Sequence, residues 1–251
     1  MRKSSAAVIS VVACMTAAAQ AGVAYVNHDT VNAALVKGGV LVERPQVRVS
    51  GGRRDKPGAL ERQNGTSIFY IHDGEGVFVS DERTQRLAKG DVLVVPSGST
   101  QSFVTVTTPI SYLQIVVPVL AKDAKAEQIY VAAEKVAQTL KKAGPLADAP
   151  NLRVSGGFRP SAGRDASPVA EIHANEADLF FVIDGRATQV LGGRIINGRQ
   201  TGPGQIRGPK TEAGQTYELG KGDVMWVPAG MPHWFPEIAE PLSYLLVKVF
   251  Y

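Results

Sequence analysis

Glu171 and His173 stand two residues apart in Glu171-Ile172-His173. On a β-strand that spacing puts both side chains on one face, where they can grip one ion together. Asp178 follows five residues after His173, an odd offset that an unbroken strand would aim at the opposite face. The intervening Ala174-Asn175-Glu176-Ala177 therefore reads as a turn, with Asp178 opening a strand from Leu179 to Ile183 before Asp184-Gly185. His233, sixty residues beyond His173, ends the segment Pro228-Ala229-Gly230-Met231-Pro232-His233 and would bring a fourth ligand from a distant strand. Two imidazoles and two carboxylates suit a divalent metal.

The order Glu-x-His, Asp178, then Gly185 seven residues on, followed by Gly222-(x5)-Pro228-x-Gly230-(x2)-His233, resembles the two signature motifs of the cupin superfamily. In that pattern the first position is usually His and the third usually Glu; here they are Glu171 and Asp178. Both substitutes can bind metal, so the resemblance implies a more anionic, harder ligand set. It also implies the fold class: all-β, two tandem antiparallel β-barrels of the double-stranded β-helix or jelly-roll type. Reaction is not implied, because one barrel hosts many chemistries.

The order of residues contains a duplication. Tyr25-Val26, Pro45 and Arg48-Val49-Ser50-Gly51-Gly52 recur 105 positions later as Tyr130-Val131, Pro150 and Arg153-Val154-Ser155-Gly156-Gly157. Lys89-Gly90-Asp91-Val92 and Pro109-Ile110-Ser111-Tyr112-Leu113 recur 132 positions later as Lys221-Gly222-Asp223-Val224 and Pro241-Leu242-Ser243-Tyr244-Leu245. Each copy is expected to open with a helix; in the second, Ile129, Ala133, Val136 and Leu140 share a helical face, stopped by Gly144-Pro145. Short Val-, Ile-, Phe- and Thr-rich runs separated by Gly and Pro turns then read as barrel strands. The domains are expected at 22–120 and 121–251, with the boundary near Pro118 to Asp123.

Counting through the first copy places Leu60, Arg62, Ser67 and Gln101 at the ligand positions. None is a strong ligand, so the first barrel is expected to lack metal. Arg53, Arg54 and Arg62 read as a solvated basic surface or an anion site. The second copy carries 36 residues between Gly185 and Gly222, against 15 between Gly74 and Gly90. This insertion reads as a loop or added hairpin beside the barrel mouth, where Arg194, Arg199, Arg207 and Lys210 could hold an anionic ligand. Phe180 shares strand parity with Asp178, and Phe235 with His233, so both should line the barrel interior. Phe180, Phe235, Arg194 and Arg207 are thus the expected substrate pocket. Trp226, Trp234 and Phe181 are expected to pack against the helix or the other barrel.

The 251 residues, 44% hydrophobic and 20% charged, describe a globular protein of one or two domains. No basic run tracks nucleic acid, and no apolar stretch reaches the ~18 residues of a membrane span. Met1-Arg2-Lys3, the apolar run from Ser4 to Ala18 and Ala19-Gln20-Ala21 have the three regions of a secretory signal at 1–21. Val11-Val12-Ala13-Cys14 resembles a bacterial lipobox, which would leave a lipid on Cys14 as the chain's membrane attachment. Either route exports the protein to the periplasm or beyond. Cleavage after Ala21 lowers the net charge from +4 to 25 − 23 = +2 and removes the one cysteine.

One divalent ion (Mn, Fe, Zn or Ni) in the second barrel is the expected cofactor, acting as a Lewis acid on a small polar or anionic molecule. Glu171 or Asp178 could loosen and serve as a general base, which suits isomerisation, elimination or hydrolysis. A cupin dioxygenase and a non-catalytic periplasmic binding or sensing protein with a structural metal are the alternatives. The Glu-x-His opening is also similar to ureidoglycine aminohydrolase, a manganese bicupin, but that family's further His falls on Ala177 here, and its activity is not carried over. Barrel edges in such folds commonly pair, so a homodimer is an open expectation.

Overall fold

The computed structural model describes residues 22–81, 83–119, 126–164 and 169–251. The expected signal at 1–21, Cys14 within it, and the expected boundary at 120/121 lie outside the described residues.

The β-branched and aromatic runs pair antiparallel into two large sheets, one per half. The frame of the first is Val47–Arg54 beside Thr100–Val117 beside Thr66–Ser80. The frame of the second is Leu152–Arg159 beside His233–Phe250 beside Glu176–Leu191. The expected break at Asp184-Gly185 does not end that last strand. The chain instead bends there through register shifts while pairing continues. Gly185 has φ 91, and a Cβ on it would strike the carbonyl of Pro241; Gly74 repeats this against Pro109. The bend therefore needs glycine.

The two halves exchange their leading strands. Ala24–Val26 pairs with Val224–Val227 of the second barrel, and Ile129–Val131 pairs with Val92–Val95 of the first. Helices α1 (His28–Lys37) and α2 (Ala133–Thr139) follow these strands. Asp223 Oδ1 accepts from the His28 backbone N–H at 2.7 Å, and Asp91 Oδ1 from that of Ala133 at 2.8 Å. Each repeated Lys-Gly-Asp thus binds the start of the helix carried by the other half. Ile129 lies in the exchanged strand rather than on the helix, and α2 stops at Thr139, before Gly144–Ala149 forms a strand.

Alternation along the strands sorts the core. Leu179, Phe181 and Trp226 join Val31, Ile68 and Leu113 in an apolar layer shared by both halves, where Tyr70 and Phe181 meet at 5.6 Å. Phe69, Phe78, Phe103 and Tyr112 fill the first barrel, and Phe180, Phe235 and Tyr244 the second. Trp234, expected against the helix or the other barrel, instead packs with Ala170 and Ile195 of its own half, where the insertion covers it. The insertion folds as an added hairpin, Arg199–Gly202 with Gln205–Gly208, which extends the second sheet through Ala170–His173.

Candidate metal centre

Three strands and one tight turn bring the four expected ligands together. Glu171 lies directly opposite His233 in the ladder between Ala170–His173 and the last strand. The turn after His173 is only Ala174-Asn175, two residues shorter than expected, because Glu176 and Ala177 already pair with Phe250 and Val249. Asp178 is therefore the third residue of Glu176–Leu191 rather than its opening. The Gly230 N–H donates to the His173 carbonyl at 2.8 Å, fixing the Pro-Ala-Gly turn that delivers His233.

The Nε2 atoms of both histidines face the two carboxylates. His173 Nε2 stands 3.8 Å from Glu171 Oε1 and 3.8 Å from Asp178 Oδ2; His233 Nε2 stands 3.7 and 3.5 Å from the same two atoms. None of these separations is a good hydrogen bond. Ligand atoms ~2.0–2.2 Å from a common divalent ion lie ~3–3.5 Å from one another, so a few tenths of an ångström of contraction would bring each histidine and its neighbouring carboxylates to the spacing of a shared ion. Glu171, His173 and His233 form the one group of three metal-capable residues found among the described residues. His233 Nε2 is buried and without a hydrogen-bond partner among the described residues, a group that a metal would satisfy.

A second layer fixes the rings. His233 Nδ1 donates to the Met231 carbonyl at 3.0 Å, so that nitrogen carries the proton and Nε2 presents its lone pair. His173 Nδ1 donates in the same way to Gln205 Oε1. The amide of Gln205 is oriented by its own Nε2, which donates to Glu176 at 3.2 Å. Lys248 Nζ then links Glu176 at 3.0 Å to Asp178 Oδ1 at 2.9 Å. Arg207 Nη2 sits 3.4 Å from Glu171 Oε2, half exposed at the mouth.

Charge follows this geometry. Burial raises the pKa of Glu171, but His173, His233 and Arg207 outweigh it and hold the carboxyl at about 2. Burial likewise opposes ionisation of Asp178, and His233, Lys248 and His173 outweigh it to about 2. Burial lowers the pKa of His173, while Glu171, Asp178 and Gln205 leave it raised. The pocket is built to keep both carboxylates ionised.

Of the expected pocket residues, Phe180 and Phe235 lie inside the second barrel, rings 5.9 Å apart. Arg207 reaches the site. Arg194 does not: its guanidinium bonds Glu212 at 3.0 Å on the exposed surface. Gln205, Glu176 and Lys248 carry no motif spacing, and only the parity of Glu176 with Asp178 marks any of them in the sequence.

The first barrel corrects the counted equivalences. Glu61, not Leu60, stands opposite Gln101, as Glu171 stands opposite His233. The Gly98 N–H donates to the Gln63 carbonyl, as Gly230 does to His173, so Gln63 rather than Arg62 is the counterpart of His173. The turn from Gln63 to Ser67 is one residue shorter than that from His173 to Asp178, which displaced the count. The positions hold Glu61, Gln63, Ser67 and Gln101: one carboxylate, and no nitrogen ligand.

Two family models match the chain in tandem: an AraC-like ligand binding domain over residues 59–151 and a Cupin domain over 164–247. No curated protein matches the sequence. Among solved structures, salicylate 1,2-dioxygenase from Pseudaminobacter salicylatoxidans is similar at TM-score 0.63 and 13% identity, over 90% of this chain and 83% of that one. A Cupin 2 conserved barrel domain protein from Leptotrichia buccalis is similar at TM-score 0.54 and 15% identity, over 84% and 87%. An oxalate decarboxylase is similar at TM-score 0.52 and 12% identity, over 82% and 71%. At such identities the likeness is one of fold.

Proposed function

The chain belongs to the cupin superfamily as a tandem of two barrels, and on that premise we propose that it is an exported metalloenzyme with its reaction centre in the second barrel. The observation that carries this reading is the convergence of Glu171, His173 and His233 on one point, with Asp178 beside both histidines, at spacings too long for hydrogen bonds and close to those of a shared ion. A bound divalent ion would supply Lewis acidity, partly neutralised by two carboxylates. That character suits isomerase, lyase or hydrolase chemistry on a small polar or anionic substrate.

The chain's own residues divide the remaining work. Lys248 holds Asp178 Oδ1, and Gln205 holds the His173 ring, so these two ligands are fixed. Glu171 is less constrained: it is 19% exposed at its side chain, and Arg207 at the mouth is its one described cation partner. Glu171 is therefore the carboxylate freer to loosen from the ion; beside both imidazoles and Arg207, which hold it at about 2, it is a weak base, and it would accept a proton from substrate only once swung away from them. Export rests on the Arg2-Lys3, apolar-run and Ala19-Gln20-Ala21 pattern. It is tested by the N-terminus of secreted protein, expected at Gly22 or at a lipidated Cys14.

The deciding experiment is metal analysis of protein purified without chelator or a nickel column. One equivalent per chain is expected, lost in His233→Ala and retained in Gln101→Ala. Retention in the first variant and loss in the second would reverse the roles of the barrels.

A further inference from the structure

Gln189 is fully buried, and neither its amide oxygen nor its amide nitrogen has a hydrogen-bond partner among the described residues. Buried amides are almost always paired, so a side chain with both ends open needs an explanation. Its place in the fold supplies one. Ala187 and Leu191, two residues to either side on the same strand, pack with Phe180 and Phe235 inside the second barrel, so Gln189 faces that interior.

The duplicated barrel shows what this position touches. Gln189 pairs with Tyr217 as Phe78 pairs with Gln85, so Phe78 is its counterpart. Phe78 packs against Phe69 and Phe103 and lines a cavity of about 80 Å³ together with Gln101, the counterpart of His233. Where the first barrel has an aromatic wall beside that position, the second has an unpaired amide.

Arg159 faces the same interior by the same comparison. Its counterpart at the 105 offset, Arg54, lines the first barrel's cavity. In the second barrel the Arg159 guanidinium carbon stands 4.7 Å over the Phe235 ring, and its Nε is buried without a partner among the described residues. A guanidinium held over an aromatic face, with an open buried N–H, is suited to a carboxylate. The amide of Gln189 offers N–H donors and a carbonyl acceptor, which suits a neighbouring hydroxyl or carbonyl.

We infer that the second barrel takes a small carboxylate carrying an adjacent hydroxyl or carbonyl oxygen, with Arg159 binding the carboxylate and Gln189 the adjacent oxygen. This rests on the proposed function for the choice of barrel, and it names the substrate class.

Calorimetric titration of metal-loaded protein with glycolate, acetate and glycolamide tests it. Wild type should bind glycolate more tightly than acetate, and uncharged glycolamide not measurably. Arg159→Met should weaken both acids at least tenfold, with Arg159→Lys recovering part. Gln189→Leu, which keeps the side chain's bulk, should weaken glycolate about fivefold and leave acetate unchanged. Both positions should leave metal content at the wild-type level. Equal binding by Gln189→Leu and wild type, or no binding of either acid by wild type, overturns the inference. A chain that holds no ion yet binds glycolate through Arg159 would instead remove the metalloenzyme reading and leave this one standing.

Discussion

Lys248 Nζ donates to Asp178 Oδ1 across 2.9 Å, and this contact leaves Oδ2 as the oxygen that faces His173 and His233. Asp178 is 3% exposed, so its charge depends on that cation. Removing one partner of a buried pair costs more than the pair's net worth, because the survivor stays buried and uncompensated. Lys248→Met should therefore destabilise metal-free protein by about 2–4 kcal/mol. A divalent ion brings back positive charge beside Asp178, so added metal should raise the melting temperature more in Lys248→Met than in wild type. Equal metal-free melting curves would mean that solvent already screens the pair.

Gln205 acts through orientation rather than charge. Its Oε1 accepts from His173 Nδ1 because its Nε2 is committed to Glu176. Gln205→Leu leaves the His173 tautomer and ring angle unspecified, and losses of this kind typically weaken metal binding by about 10–100-fold. A competitive chelator titration should show that drop, with a far-UV spectrum like wild type. Arg199→Ala, on the exposed strand of the same hairpin, should leave affinity unchanged.

The response to pH should change sign on metal loading. In the metal-free protein, Glu171 and Asp178 have pKa values depressed from 4.5 and 3.8 to about 2, so their contribution is present above the unfolded values and fades as pH falls toward 2. His173 is raised above 6.5, so its contribution is full below that value and lost as pH rises through the folded pKa. Metal binding requires neutral imidazoles and is favoured by the same rise. Metal-free stability should thus decline, and the stabilisation by added metal should grow, as pH rises above about 6.5. Melting curves of stripped and loaded protein measure both. Parallel trends in the two would show that His173 does not govern the site.

Sequence spacing marked the four clustered side chains because each sits at a backbone-determined offset. Glu171 and His173 share a strand face, and His233 follows a Pro-Ala-Gly turn opposite Glu171. The duplication likewise made Gly90 and Gly222 equivalent. Gap-free counting failed where a turn differed by one residue, which hid Glu61 and Gln63. Lys248 and Gln205 were not legible: they reach the site through pairing of the C-terminal strand and of the inserted hairpin, and such long-range register leaves no local period. The helix expected to include Ile129 failed for a related reason. Ile129 is claimed by the exchanged strand pairing with Val94, which overrides a helical pattern.

The exchange of leading strands makes the barrels one cooperative unit, and this gives the last prediction. Asp223 accepts from the N–H groups of His28 at 2.7 Å and Gly220 at 2.8 Å, and from the Tyr25 hydroxyl at 3.1 Å. Asp91 repeats the two backbone contacts with Ala133 and Ala88, each at 2.8 Å. Both carboxylates are nearly buried, at 3% and 5% exposure. Each therefore caps a helix of the other half and closes its own barrel's turn. Asp223→Ala should cost about 2–3 kcal/mol, from a lost cap and buried N–H groups left open. Asp91→Ala should cost about the same. Because each lesion touches both barrels, each variant should unfold in denaturant as a single transition shifted to lower concentration, read together by Trp226 and Trp234 fluorescence and by far-UV signal. Two separated transitions, one barrel melting while the other persists, would show that the exchanged strands do not couple the halves.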